Sequence, residues 1–411
     1  MRPVKVFFFR FSGLLVWAVL LSAWAADVPS HVPGRLLAAP RSGIDLNLLA
    51  YTLRLHRAVV RKHWPPVEMG ILVLDVPEES SGAILESLQR TGLFEYVERD
   101  RYARTAEIPN DPGFPSQWHL AKIQGPQAWG VTTGSPSVVV AVIDSGVFGT
   151  HPDLTINLAP GWNFVKSNSD TSDLLGHGTA VAGTIAAAGN NGIGVAGVTW
   201  DSRIMPLVVV DENDLAAYSD IAQAIQYAAD HGVRVMNISI GGPAQSSTLQ
   251  SAVDYAWEKG ALIFASAMNN GASDPSYPAA CNHVMAVSAT DINDHLASFS
   301  NYGSWIALSA PGDSILTTTN GGGYAYWFGT SFASPIAAGV AALSLTVNPS
   351  LTNAELVTIL ETTADQVGHP GYDPSFGWGR VNAFRAVSAA RQTLVESLPA
   401  AIVPAPHRSG R

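Results

Sequence analysis

The chain has 411 residues, of which 47% are hydrophobic and only 14% charged, so a chain that is disordered throughout is excluded. The formal net charge is −10, which excludes a general nucleic-acid binder because such proteins need a basic face. A single cysteine, Cys281, excludes an intrachain disulfide. The length suffices for one large core, or for a large domain with a small one.

The first 25 residues have the composition of a secretory leader. Arg2, Lys5 and Arg10 precede an apolar stretch over 11–21, and residues 23–25 read Ala-Trp-Ala, a small-x-small cleavage pattern. We predict a signal peptide over 1–25 and a secreted protein, extracellular or periplasmic. The alternative is an uncleaved membrane anchor. The apolar core is short for a helix that spans a bilayer, so we expect no stable membrane association.

The charge distribution predicts a domain boundary. Residues 1–110 carry 13 basic and 11 acidic side chains, whereas residues 111–387 carry 7 and 21. The change falls at the proline-containing segment 108–112, a loop signal. We predict a small α+β domain over 26–108, with strands over 70–76 and 94–98 and a helix over 80–92. A large domain follows over 109–390, and an Ala/Pro-rich, flexible tail over 391–411.

Within the large domain, apolar β-branched segments alternate with helical ones. This alternation predicts βαβ crossovers and a mainly parallel sheet covered on both faces, hence an α/β fold. In such sheets the functional groups gather at the carboxyl ends of the strands. The predicted strands are 137–143, 233–240, 261–265 and 283–289; the predicted helices include 180–188, 219–230, 247–259 and 336–347.

Three polar residues flanked by glycine or small residues stand at the edges of these elements. Asp144 ends the first strand, His177 begins a small-residue helix, and Ser331 lies at the amino end of the last apolar helix. Each alone has an ordinary structural explanation: a turn carboxylate, a structural histidine and a helix cap. Together, in the order Asp, His, Ser, they predict a catalytic triad.

The segments around these residues resemble the subtilases, over residues 110–387 and in all three blocks. The resemblance implies a three-layer subtilisin-like fold and a serine endopeptidase that acts on polypeptides through an acyl-enzyme intermediate. It also implies that domain 26–108 is a propeptide, a folding aid and inhibitor of its own enzyme, and that the enzyme is a monomer. The blocks read Val-Ile-Asp-Ser-Gly (142–146), Gly-His-Gly-Thr (176–179) and Gly-Thr-Ser-Phe-Ala-Ser-Pro (329–335).

Other functions and roles stay open at this point. A catalytically impaired pseudoprotease that only binds peptides is one alternative, and an attached binding domain over 26–108 is another. An acyl hydrolase with a Gly-x-Ser-x-Gly elbow is disfavoured, because Ser331 is flanked by Gly329 and Ala333.

The resemblance implies further residues around the triad. Asn269 would be the side-chain donor of the oxyanion hole, and Ser239, Ile240 and Gly241 would pair with the substrate backbone. Relatives usually have glycine where this chain has Met268, a position that borders the pocket for the residue before the scissile bond. We hypothesise that Met268 narrows this pocket or shifts Asn269.

A structural calcium site is also implied by the resemblance. Ca²⁺ prefers six to eight oxygen ligands, including carboxylates and carbonyls. A second site suggested by relatives would fall on Asn163, Asn168, Asp170 and Ser172, but it has lost carboxylates and is not predicted. The predicted ligands are the carboxylates of Asp111 and Asp153, the side chain of Asn191, and the backbone oxygens of Ala188, Ile193 and Val195.

Overall fold

The structure is a computed structural model that describes residues 31–63, 70–101 and 107–397. The chain divides into two compact units between Arg104 and Thr105, close to the predicted boundary at 108. The predicted signal peptide lies outside the described residues. Among the described residues, one helix, over 330–347, is long and apolar enough to cross a membrane, but 89% of it is buried inside the structure, as in a core helix.

The first unit is a four-stranded antiparallel sheet with two helices. Its strand order is β2-β3-β1-β4, and its core is formed by aliphatic residues such as Leu36, Leu74 and Leu88. The predicted strands and helix are present, and β1, α1 and β2 are additional elements that the sequence pattern did not indicate. The elements are β1 (His31–Pro40), α1 (Leu46–Leu55), β2 (Val59–His63), β3 (Leu72–Asp75), α2 (Ser81–Arg90) and β4 (Phe94–Arg101).

The second unit contains a seven-stranded sheet in which every neighbouring pair is parallel, in the order β11-β10-β9-β8-β5-β7-β6. A two-stranded antiparallel pair, β12-β13, lies apart from it. This sheet confirms the predicted α/β class. The strands are β5 (Val139–Asp144), β6 (Trp162–Asn163), β7 (Arg203–Val208), β8 (Val235–Ile238), β9 (Leu262–Ser266), β10 (Val284–Thr290), β11 (Leu308–Pro311), β12 (Ile315–Thr318) and β13 (Tyr324–Trp327).

Helices cover both faces of this sheet, which accounts for the three layers. Along β5, Val140 and Val142 belong to one apolar core, whereas Ala141 and Ile143 belong to the other. A strand buried on both faces has to be apolar throughout. The helices are α3 (Trp118–Lys122), α4 (Gly125–Trp129), α5 (His177–Ala186), α6 (Tyr218–Asp230), α7 (Ser247–Glu258), α8 (Thr330–Val347), α9 (Asn353–Thr363) and α10 (Ala383–Ser397).

Two helices differ from the sequence-based expectation. Helix α8 begins at Thr330 rather than near Ile336, so Ser331 lies inside its first turn. Helix α10 continues to Ser397, into the segment expected to be a flexible tail. Its buried residues Ala386, Val387 and Ala390 pack into the main core, so burial extends the helix past the point where the composition changes.

Gly183 shows how closely the layers approach each other. A Cβ atom there would lie 2.0 Å from the Thr318 hydroxyl and 2.8 Å from that of Thr317. Since both threonines are fully or nearly fully buried in β12, neither can move aside without disturbing the packing.

We therefore expect Gly183→Ala to destabilise the second unit by about 1–3 kcal/mol through overpacking. The measurement is the midpoint of thermal unfolding at a fixed scan rate. Gly149→Ala is the matched control, because its nearest atom would be 3.9 Å away and its φ is not positive. Equal midpoints for the two variants would contradict this expectation.

Candidate active site

Three neighbouring strands carry the candidate groups at their carboxyl ends. Asp144 ends β5, Ser239 follows β8, and Asn269 lies three residues after β9. Because β5, β8 and β9 are adjacent and parallel, their ends meet at one edge of the sheet. The predicted strand over 233–240 ends at Ile238, which leaves residues 239–241 as an extended segment outside the sheet.

The structure brings Asp144 and His177 together. The Nδ1 atom of His177 lies 2.8 Å from Oδ1 of Asp144, which also accepts a hydrogen bond from the Ser145 N–H. Gly178 makes this approach possible, because a Cβ there would lie 2.2 Å from the Gly146 carbonyl oxygen. A side chain at position 178 would therefore push the start of α5 away from the end of β5.

The charge around the imidazole is negative. Burial of the ring lowers the pKa of His177, but the carboxylate of Asp144, by its charge and its hydrogen bond, together with those of Asp173 and Asp214, raises the net pKa above the ordinary value. The Asp144 side chain is 1% exposed, and its second oxygen, Oδ2, has no hydrogen-bond partner among the described residues. The pair can therefore hold an imidazolium once a proton arrives at Nε2.

Ser331 is 8% exposed, and the ring of the next residue, Phe332, lies 6.0 Å from that of His177. Its hydroxyl donates to the carbonyl of Ser239 at 3.2 Å. Within the described residues it makes no hydrogen bond to His177, which differs from the two bonds, Asp144–His177 and His177–Ser331, expected of a catalytic triad. One hydroxyl proton serves one acceptor well, and catalytic hydrogen bonds are often loose without substrate.

A second hydrogen bond joins Ser239, after β8, to Ser331, at the start of α8. Pro335 lies inside α8 and has no N–H to donate to the carbonyl of Ser331. That carbonyl instead accepts from the hydroxyl of Ser239 at 3.0 Å. Asn237, fully buried, donates to the Ser239 hydroxyl and accepts from Ser334. Sequence reasoning gave Asn237 no role, because in the sequence it looked like part of a buried strand.

Asn269 is exposed and its amide is oriented by Thr330. The Thr330 N–H and hydroxyl both donate to Oδ1 of Asn269, at 2.8 and 3.0 Å. No described residue accepts a hydrogen bond from the Nδ2 group, which lies next to the start of α8, where the Ser331 N–H also lies. Sequence reasoning missed this role of Thr330.

The segment Ser239-Ile240-Gly241 is open on one side. Gly242 and Tyr277 exchange two backbone hydrogen bonds, of 2.9 and 2.8 Å, at its far end. The backbone groups of Ile240 and Gly241 make no hydrogen bond to any residue that the structure describes. The Sδ atom of Met268 lies 3.5 Å from where a Cβ of Gly241 would be, and Met268 adopts a φ of +76°.

The carboxylates of the predicted calcium ligands lie near each other, and backbone N–H groups donate hydrogen bonds to them, which was not expected. Asp111 and Asp153 are 2% and 0% exposed, and no basic side chain is bonded to either within the described ranges. The N–H groups of Asn190 and Asn191 donate to Asp111, and that of Val195 to Asp153. Burial raises the pKa of Asp111, and the Asp153 charge adds to this.

The Asn191 side chain differs from the expected ligand, because its Nδ2 donates to Asp153 and its oxygen accepts from the Ile193 N–H. The carbonyl oxygens of Ala188, Ile193 and Val195 accept no hydrogen bond from any described residue.

Cys281 is buried, and burial raises the pKa of its thiol to about 11, so the thiol is unreactive.

Comparisons with known proteins agree with this fold and geometry. Residues 135–379 match the model of the peptidase S8 subtilase family. The chain is 43% identical over 312 residues to a thermophilic serine proteinase of Bacillus sp. (strain AK1), covering 74% of this chain and 76% of the relative. It is 42% identical over 280 residues to thermitase of Thermoactinomyces vulgaris, covering 68% and 99%.

A solved protease from Pseudoalteromonas arctica superposes with a TM-score of 0.63 at 34% identity, over 69% of this chain and 99% of that one. A solved lanthipeptide protease also superposes with a TM-score of 0.63, at 27% identity, over 70% of this chain and 99% of that one. The fold and the family define a serine endopeptidase, a hydrolase of peptide bonds. The chain belongs to the subtilase family, as the sequence blocks predicted.

Proposed function

We propose that this protein is a secreted serine endopeptidase that hydrolyses polypeptides through Asp144, His177 and Ser331. The observation that carries the proposal is the 2.8 Å bond between His177 and Asp144, with Ser331 at the start of α8 next to Phe332, whose ring lies 6.0 Å from that of His177. His177 takes the Ser331 proton as the hydroxyl attacks a peptide carbonyl, then delivers that proton to the leaving amine. Asp144 holds the imidazole tautomer and stabilises the imidazolium.

The oxyanion of the tetrahedral intermediate is bound by two donors in this proposal. One is the Ser331 N–H, at the positive end of α8. The other is Nδ2 of Asn269, whose orientation is held by Thr330. The unpaired backbone of Ile240 and Gly241 supports pairing with an extended substrate, as an added strand.

The test of this function is labelling with a serine-directed fluorophosphonate combined with hydrolysis of casein. Ser331→Ala should abolish labelling and lower turnover by about 10⁶-fold, a magnitude known from a subtilisin, which is a relative of this chain. Ser344→Ala, a buried serine later in α8, is the matched control and should keep both. A folded, mature enzyme that binds casein but neither cleaves it nor takes the label would instead be a pseudoprotease.

Met268 is proposed to set the preference for the residue before the scissile bond. Its sulfur lies against Gly241 of the substrate segment, and the side chain is half-buried there. A glycine in its place would leave that volume free. It would also remove the strain of a side chain at positive φ, about 1 kcal/mol.

Met268→Gly should therefore raise kcat/KM for peptides with a large apolar residue at this position by about tenfold or more, relative to those with alanine. A series of peptide p-nitroanilides that differ only at that residue measures the ratio. Met268→Leu, of similar volume, should keep the wild-type preference. An unchanged ratio in the glycine variant would refute the role of Met268.

We propose that the Asp111–Asp153 pair holds a structural Ca²⁺. Two buried carboxylates without a bonded basic residue, and three carbonyls that accept no bond within the described chain, fit a cation with oxygen ligands. To offer its oxygen, the Asn191 side chain would have to give up its bond to Asp153 and the bond that it accepts from the Ile193 N–H. The ion would tie the loop over 188–195 to the start of the second unit, and would contribute stability rather than a chemical step.

Calcium at a hundredfold excess over its dissociation constant would stabilise the folded state by about 2.7 kcal/mol. We expect the thermal midpoint to rise with added Ca²⁺ and to fall with a chelator. Asp153→Asn should abolish this calcium dependence. Asp170→Asn, in the second site that relatives suggest but that is not predicted here, should preserve it. A calcium dependence that survives in Asp153→Asn would contradict the assignment.

The compartment and maturation are proposed from the same family. The basic and apolar leader over 1–25 supports export, and the separate unit over 31–101 supports a propeptide that inhibits the enzyme until it is removed. Slow folding of a parallel sheet with long-range contacts gives such a segment a physical role as a folding template. Protein-level sequencing of the secreted form tests both cleavages.

A further inference from the structure

Asp173 is a buried carboxylate next to the candidate triad, four residues before His177, and the proposed chemistry does not use it. It is 5% exposed, yet no basic side chain is bonded to it within the residues that the structure describes. Five hydrogen bonds to its two oxygens compensate its burial. The donors are the Ser145 hydroxyl at 2.9 Å, the N–H groups of Leu175, Gly176 and Thr179 at 3.0, 2.8 and 2.8 Å, and the Thr179 hydroxyl at 2.5 Å.

These bonds connect the two elements that carry the Asp–His pair. Ser145 follows Asp144 directly, while Gly176 and Thr179 stand on either side of His177. Ser145 gives its hydroxyl proton to Asp173 and accepts from the N–H of Gly178 at 2.9 Å. The end of β5 and the start of α5 are therefore held together through one carboxylate, so its loss would loosen both ends of the Asp144–His177 bond.

We propose that Asp173 is a positioning residue for peptide-bond hydrolysis, which holds His177 opposite Asp144 and adds a second buried negative charge beside the imidazole. This inference rests on the proposed function. Asp173 does not touch the reacting atoms, and acts through Ser145 and the backbone around His177.

The charge gives this role a signature that a purely structural residue lacks. Three carboxylates act on the imidazole. Asp144 is hydrogen-bonded to it, Asp173 lies in the segment just before α5, and Asp214 is exposed, so water screens its charge. Each stabilises the imidazolium, so each raises the pKa of His177. Without the charge of Asp173 that pKa falls. His177 then stays neutral, and able to accept the Ser331 proton, to lower pH.

The experiment measures kcat and KM per fluorophosphonate-titrated site across pH for the mature enzyme and its Asp173→Asn variant. We expect kcat to fall by about tenfold or more through misplacement of the imidazole, with KM little changed. We also expect the acidic limb of kcat/KM to move to lower pH. Asp373→Asn is the matched control: Asp373 is also 5% exposed and accepts from backbone N–H groups, of His369 and Ser375, in another loop. It should change thermal stability alone.

Ser145→Ala separates geometry from charge, because it removes one bond to Asp173 and keeps the carboxylate. We expect a lower kcat with the acidic limb in its wild-type place. If Asp173→Asn fails to fold, normal per-site turnover of Ser145→Ala overturns the proposal. If Asp173→Asn folds, a dependence of kcat and kcat/KM on pH that matches that of Asp373→Asn overturns the proposal. Failure of the wild-type enzyme to take the label would instead overturn the proposed function, so the two failures are distinguishable.

Discussion

The buried carboxylate of Asp144, at the carboxyl end of the interior strand β5, is the constraint on which the rest of the site depends. A negative charge that is 1% exposed is costly unless donors compensate it. The Ser145 N–H and the His177 imidazole supply those donors. The imidazole can reach it only because Gly178 lets α5 start against the turn after β5. The proposed catalytic pair and the packing of the layers therefore share one requirement, the absence of a side chain at position 178.

The remaining parts of the site are fixed by polar bonds between segments far apart in the sequence. Ser239 and Ser331 exchange two hydrogen bonds, one of which replaces the helical bond that Pro335 cannot make. Thr330 bonds to Oδ1 of the Asn269 amide and leaves its N–H₂ group without an acceptor among the described residues. The site is thus built from strand ends and helix starts whose relative positions are set by the rigid sheet, as preorganised electrostatic stabilisation requires.

Sequence reasoning worked where a local pattern carries the information. The parallel sheet followed from alternating apolar segments, and the edges of β9, β10, α6 and α7 differ from the prediction by at most one residue. Reasoning failed where tertiary packing decides, as in α8, whose first turn is stabilised by burial despite Pro335, and in α10, whose apolar side continues past Val387. It also missed β7, whose segment over 203–208 contains arginine and proline and shows no strand period.

The amino-acid sequence by itself determined the fold class and the family, and it singled out Asp144, His177 and Ser331 as candidates, because each lies in a short block with glycine or small residues around it. It could not determine how these residues are held. The hydrogen bonds that hold them join groups between 2 and 92 positions apart in the chain. They are the five bonds to Asp173, those from Thr330 to Asn269, and the bond from the Ser331 hydroxyl to Ser239. Hydrogen bonds act over about 3 Å, so only the folded chain decides which donor meets which acceptor.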